Sequence, residues 1–148
     1  MSEASQSYSV EIAAGIDRCV AVLLDFERYP EWSGPITEAR ILERDAEGRG
    51  RRVAFALDMK IRTVRYTLAY EFDLPRGATW TLVEGDVAGV VGEYAFEPLA
   101  PNRTKATCAQ QVDLGFWIPG PLRRVFEKQA LRDSVEDFKG AVEGSSTA

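Results

Sequence analysis

From Ile36 to Leu114 the sequence alternates apolar and polar side chains in one segment after another, with short polar turns between them. Such period-two alternation places one row of side chains on each face of a strand. Ile36–Arg44 reads as a first strand of the series, and "RDAEGRG" as its turn. Val53, Phe55, Leu57 and Met59 then alternate with Arg52, Ala54, Asp58 and Lys60. After a short break Val64, Tyr66, Leu68, Tyr70 and Phe72 share a face, opposite Thr63, Arg65, Thr67 and Glu71. "DLPRGA" is a turn, and Trp80, Leu82 and Glu84 continue the pattern in register. Val90–Pro98 and Thr104–Leu114 complete it, joined through "PLAPNRT". Strands linked by connections this short pair antiparallel with their neighbours, so the segment reads as a meander.

The flanks supply what covers one face of that sheet. Ser7–Ile12 alternates and reads as a further strand. Ile16, Cys19, Val20, Leu23 and Leu24 fall on one helical stripe, with Asp17 near the positive end of the helix dipole. The helix is expected to stop near Asp25, where "DFERYPEWSGPI" packs three aromatics among two prolines and a glycine. Each proline pushes the residue before it out of the helical region. The segment therefore reads as a rigid corner whose Phe26 and Trp32 turn into the core, a packing hook rather than a ligand contact. Pro119 and Pro121 suit a helix start, and a long helix is expected from Pro121 to Val142. Its Leu122, Val125 and Phe126 lie on a different face from Leu131, Val135, Phe138 and Val142. That change of face predicts a bend near Gln129, or a different packing partner for the first turns. The sum is one α+β domain with an ordered core over about 7–143. Its curved antiparallel sheet of about seven strands wraps a long C-terminal helix, a helix-grip arrangement.

A chain of 148 residues is long enough for one well-buried core. The formal charge is −5 and no basic stripe runs along any segment, which argues against a nucleic-acid partner. The longest apolar run near the start, "CVAVLL", is too short to cross a bilayer, and "MSEASQS" lacks the features of a secretory signal. Cys19 and Cys108 form no CxxC and read as buried thiols in a reducing cytoplasm. The chain has no histidine. That removes the usual general base, the usual zinc ligand and every histidine-dependent triad. No glycine-rich phosphate loop is present either, and no metal or cofactor is expected.

Four stretches stand out together: "VLLDFERYPEW" after a first strand and helix, "WTLVEG" in mid-sheet, "GEYAFEPL" with "RTKATC" at a hairpin, and "PGPLRR" opening the terminal helix. With them the chain resembles the START-related superfamily abbreviated SRPBCC, and within it the polyketide cyclase/dehydrase and coenzyme Q-binding START-domain group. The resemblance covers roughly residues 7–143. It implies the helix-grip fold and an interior that holds a hydrophobic small molecule. Members of the superfamily include lipid carriers, cyclases, receptors and interaction modules, so it implies no single chemistry.

The inward row of the meander supplies the candidate lining: Phe55, Leu57, Met59, Tyr66, Leu68, Tyr70, Trp80, Leu82, Tyr94 and Phe96. Trp117, Leu122 and Phe126 are expected at the cavity mouth. Most of these positions would also serve as plain core. Polar residues interrupting the row, Arg62, Glu84 and Gln110, are candidates to hold a ligand's polar end, or else strand-end groups reaching water. The tyrosines offer hydroxyls to a carbonyl or quinone oxygen. The expected function is binding or transport of a lipid, isoprenoid quinone or polyketide-like molecule without catalysis. The alternative is a cyclase or dehydratase using cavity Glu, Arg and Tyr groups, and a protein-interaction module is a weaker third reading. "FWIPGPLRRVF" sets three bulky residues beside two arginines. It is expected either to cap the core or to rim the mouth and make transient contact with an anionic membrane.

Overall fold

The computed structural model describes residues 6–60, 62–124 and 128–144. The chain runs β1 (Gln6–Ile12), α1 (Ile16–Leu24), a single 3-10 turn (Phe26–Arg28), and α2 (Tyr29–Trp32). Six strands follow: β2 (Ile36–Arg44), β3 (Gly50–Asp58), β4 (Thr63–Asp73), β5 (Gly77–Gly85), β6 (Gly89–Ala100) and β7 (Arg103–Asp113). α3 (Gly120–Arg124) and α4 (Ala130–Gly144) end the chain. The strands form one sheet in the order β1-β7-β6-β5-β4-β3-β2, antiparallel at every pairing. This is the expected meander, with the first strand added beside the last. The sheet is curved and open, and the C-terminal helix lies in its concave side, as the helix-grip reading requires.

The terminal helix, expected to be continuous from Pro121 to Val142, is described as two segments. Residues 125–127 between them, and with them Val125 and Phe126, lie outside the described residues, as does the side chain of Leu122. The second half of the helix follows its stripe. Leu131, Val135, Phe138 and Val142 are all buried, because i, i+4, i+7 and i+11 return to one face.

The hook places its bulk differently from expectation. Phe26 is fully buried, and so is most of Tyr29, whereas Trp32 is only half-buried. Phe26 enters the core because β3 begins with glycine. A Cβ on Gly50 would stand 2.9 Å from the Phe26 ring. Tyr29 donates its hydroxyl to the Leu23 carbonyl at 2.6 Å and so closes the end of α1. Trp32 lies outside it, with its ring centroid 4.8 Å from Tyr29 and 6.0 Å from Phe138. Cys19 and Cys108 are both buried and free, as the spacing suggested.

Candidate functional site

One row across three strands organises the interior. Trp80 on β5 pairs with Gly92 on β6, and Gly92 pairs with Gln110 on β7. The indole lies so closely across the glycine that a Cβ there would collide with the ring. Its Nε1 donates to Gln110 Oε1 at 3.1 Å. An indole nitrogen is a donor only, so this bond fixes which way the amide faces and turns its NH2 elsewhere.

Around that row the inward side chains form a continuous aromatic surface. Tyr70 and Trp80 are 5.6 Å apart by ring centroid, Trp80 and Tyr94 6.0 Å, and Tyr94 and Phe138 4.9 Å. Phe96 stacks on Phe138 at 5.9 Å, and Phe55 meets Tyr66 at 5.7 Å. Leu68 and Met59 are buried beside them, while Leu57 and Leu82 are partly buried against the same core. The sequence-predicted lining from Phe55 to Phe96 is therefore brought together on one face, Glu84 and Arg62 excepted. Tyr29, Gly92 and Phe138 belong to it as well. Gly92 had a signal in the sequence, a glycine inside a strand, which often marks a close approach.

The phenols carry the polar character of this surface. Among the described residues, the hydroxyls of Tyr66, Tyr70 and Tyr94 have no hydrogen-bond partner, yet no buried side-chain oxygen or nitrogen is left unsatisfied. These three oxygens therefore border accessible space. Burial pushes the Tyr66 phenol up to about 12, and holds Tyr70 and Tyr94 well above the ordinary phenol value. Burial likewise pushes the Cys108 thiol up to about 12. At neutral pH the surface thus presents protonated phenols, a neutral thiol and an amide.

Glu84 is not part of it. Thr67 pairs with Glu84, but the next residue of β4, Leu68, pairs with Leu82, so Val83 is an extra residue in β5. Such a bulge reverses the faces of everything beyond it. Glu84 consequently shares the outer face with Thr67 and is exposed. Arg62 is also exposed, its guanidinium 4.5 Å above the Phe116 ring. Trp117 is 80% exposed, whereas its neighbour Ile118 is 2% exposed. Val112, in register with the inward row, is 39% exposed near the end of β7. The inward positions of β3 to β7 named above carry no carboxylate. Two open hollows border the sheet, one of about 690 Å³ lined by Ala54, Phe55, Arg65, Tyr66, Thr67 and Glu84 among others, and one of about 250 Å³ lined by Glu71, Phe72, Thr79, Glu93 and Tyr94 among others. Among the described residues no group of carboxylates and thiols is arranged to hold a metal ion.

Residues 13–139 match the model of a family described as polyketide cyclase/dehydrase and lipid transport. The chain belongs to this family. Solved structures carry the same fold in the family's setting. A START superfamily protein from Mycobacterium smegmatis is 23% identical with a TM-score of 0.85, over 95% of this chain and 97% of that one. The Zhui aromatase/cyclase from Streptomyces sp. R1128 is 21% identical with a TM-score of 0.79, over 95% and 93%. TTHA0849 from Thermus thermophilus is 17% identical with a TM-score of 0.82, over 97% and 99%. A search of curated proteins gives no match. Among the described residues, no helix is long and apolar enough to cross a membrane.

Proposed function

We propose that this polyketide cyclase/dehydrase and lipid transport family member binds a hydrophobic small molecule between the concave sheet face and α4. The observation that carries this reading is the set of unpartnered hydroxyls on Tyr66, Tyr70 and Tyr94 within an otherwise aromatic and aliphatic surface. A pure core has no use for three phenols whose oxygens find no protein partner, since a buried polar group without one is costly. An apolar surface with a few convergent polar groups is the chemistry of a small-molecule site. Neutral phenols and an amide suit ketone, quinone or hydroxyl oxygens. They do not suit a free carboxylate, which would want a cation on this face.

The residues favour binding over catalysis. An enolising cyclase needs a base beside the α-carbon. Here histidine is lacking from the sequence, Glu84 sits on the outer face, and the phenols hold their protons. A cyclase or dehydratase remains the second reading because the family's description covers that chemistry and the Zhui aromatase/cyclase shares the fold. In that case the phenols act as proton donors to a carbonyl.

Native mass spectrometry of the purified protein, with organic extraction of what it carries, tests the first reading. A bound apolar molecule, or saturable displacement of an apolar fluorophore by a quinone, is expected. Tyr70→Phe/Tyr94→Phe should weaken quinone binding while the protein stays folded. Absence of any saturable apolar binding overturns the reading. Conversion of a poly-β-ketone chain to a cyclised product faster than in buffer would establish the second.

A further inference from the structure

We propose that the end of the domain where the β3–β4 turn meets the β7–α3 segment docks onto an anionic lipid surface, with Trp117 as its inserted side chain. This goes beyond ligand binding and does not depend on what the interior holds. The two segments are joined by contact, since the Arg62 guanidinium lies 4.5 Å above the Phe116 ring. The base of the β7–α3 segment is fixed. Asp113 accepts from the Gly115 amide at 3.1 Å through Oδ1, and its carbonyl accepts from the Ala88 amide at 2.8 Å. Gly115 has φ +77°, and a Cβ there would stand 2.9 Å from Ala88. Ile118 is 2% exposed and Phe116 packs against the core, yet Trp117 between them is 80% exposed. The residues on either side are held inward while the largest side chain of the segment faces water.

Three cations stand on the two segments. Lys60, Arg62 and Arg123 are all exposed. Lys60 occupies the tip of its turn with φ +74°, a conformation that favours glycine or asparagine over lysine. A lysine kept there at a conformational cost suggests that its charge is used. Two carboxylates on the same segments keep their charge but are turned to backbone amides. Asp58 accepts from the Lys60 amide at 2.8 Å, and Asp113 from the Gly115 amide.

A single exposed indole, with exposed cations on its own segment and on the turn that meets it, fits a bilayer better than a protein partner. A stable protein interface needs roughly 800 Å² from each side. A lone tryptophan at headgroup depth, with phosphates meeting the cations, needs no such area. The net charge of −5 repels the rest of the molecule from the same surface, which restricts contact to this end and makes it reversible.

Co-sedimentation with vesicles of phosphatidylcholine alone and of phosphatidylcholine with phosphatidylserine tests the proposal at low and physiological salt. Wild type should bind the mixed vesicles, weaken as salt rises, and ignore the neutral ones. Trp117→Ala should reduce binding markedly. Lys60→Gln and Arg123→Gln should each reduce it about fivefold, the effect of one basic residue near such a surface. Circular dichroism melting confirms that each variant is folded. Lack of binding by wild type at low salt overturns the proposal, as do equal binding by all variants and equal binding to neutral vesicles. A change of oligomeric state with Trp117→Ala in the absence of vesicles would assign the indole to a protein interface and overturn it too.

Discussion

Trp80 and Gln110 stand two strands apart and are joined by one hydrogen bond, indole Nε1 to amide Oε1 at 3.1 Å. The bond exists because the residue between them in the row is Gly92. A side chain at that position would lift the indole off the sheet. The interior surface that the Tyr66, Tyr70 and Tyr94 hydroxyls share is therefore set partly by an absent side chain.

Gly92→Ala should destabilise the protein by about 1–3 kcal/mol, the usual cost of overpacking a filled core. The new methyl would collide with the Trp80 ring. Trp80→Phe removes the part of the ring that crosses the glycine. Gly92→Ala should therefore cost less in the Trp80→Phe background than in wild type. Urea unfolding of the four proteins in this cycle measures the coupling. Strict additivity would mean that the two residues do not meet as described.

The same substitution should behave oppositely at two tyrosines. Tyr29 donates a buried hydrogen bond to the Leu23 carbonyl at 2.6 Å. Tyr29→Phe leaves that carbonyl's partner missing and should cost about 1–3 kcal/mol. Tyr70 has no protein partner for its hydroxyl among the described residues. Tyr70→Phe should change stability by less than about 0.5 kcal/mol and alter only ligand affinity. Equal losses on chemical denaturation would show that the Tyr70 hydroxyl is structurally engaged.

Much of this surface was legible in the sequence, because alternation within each strand puts Phe55, Tyr66, Leu68, Trp80 and Tyr94 on one face without knowledge of the turns. The strand Ile36–Arg44 has the bounds its pattern predicts. Alternation fails where the chain inserts a residue. Glu84 read as inward because it follows Trp80 and Leu82 in step, but the bulge at Val83 reverses it. The available signal was Gly85, a strand glycine whose φ is +149° and whose Cβ would stand 2.5 Å from Tyr66. Trp117 was illegible for a different reason. A run of three bulky residues has no period, so nothing in "FWI" tells which one faces water.

The bulge makes a prediction about ligand binding. Glu84→Gln should leave the affinity for an apolar fluorophore or quinone within about twofold, since the side chain stands on the outer face with Thr67. Gln110→Leu should weaken quinone binding, because it removes the amide and unpairs the indole N–H. Titrations of both variants decide this. A large loss with Glu84→Gln and none with Gln110→Leu would place the polar end of the ligand on the wrong face.

High pH should unfold the protein through its phenols. The ordinary phenol value is 10.0, and burial raises Tyr66 to about 12 and Tyr29, Tyr70 and Tyr94 well above 10.0. As pH rises past 10, the unfolded chain releases these protons and the folded one keeps them. The unfolded state then binds fewer protons, so stability falls with pH. The contribution is fully present below pH 10 and is lost as pH climbs toward about 12, the Tyr66 value in the fold. Buried Cys108 adds the same sign of effect from 9.0 upward. Urea midpoints should hold steady through neutral pH and then drop steeply above 10. Tyrosinate absorbance should appear together with loss of structure rather than before it. If four phenols titrate near 10 with the near-ultraviolet circular dichroism intact, the interior admits hydroxide freely and is more open than its packing implies. Tyr66→Phe should make the drop shallower, because one buried group that ionises on unfolding has been removed.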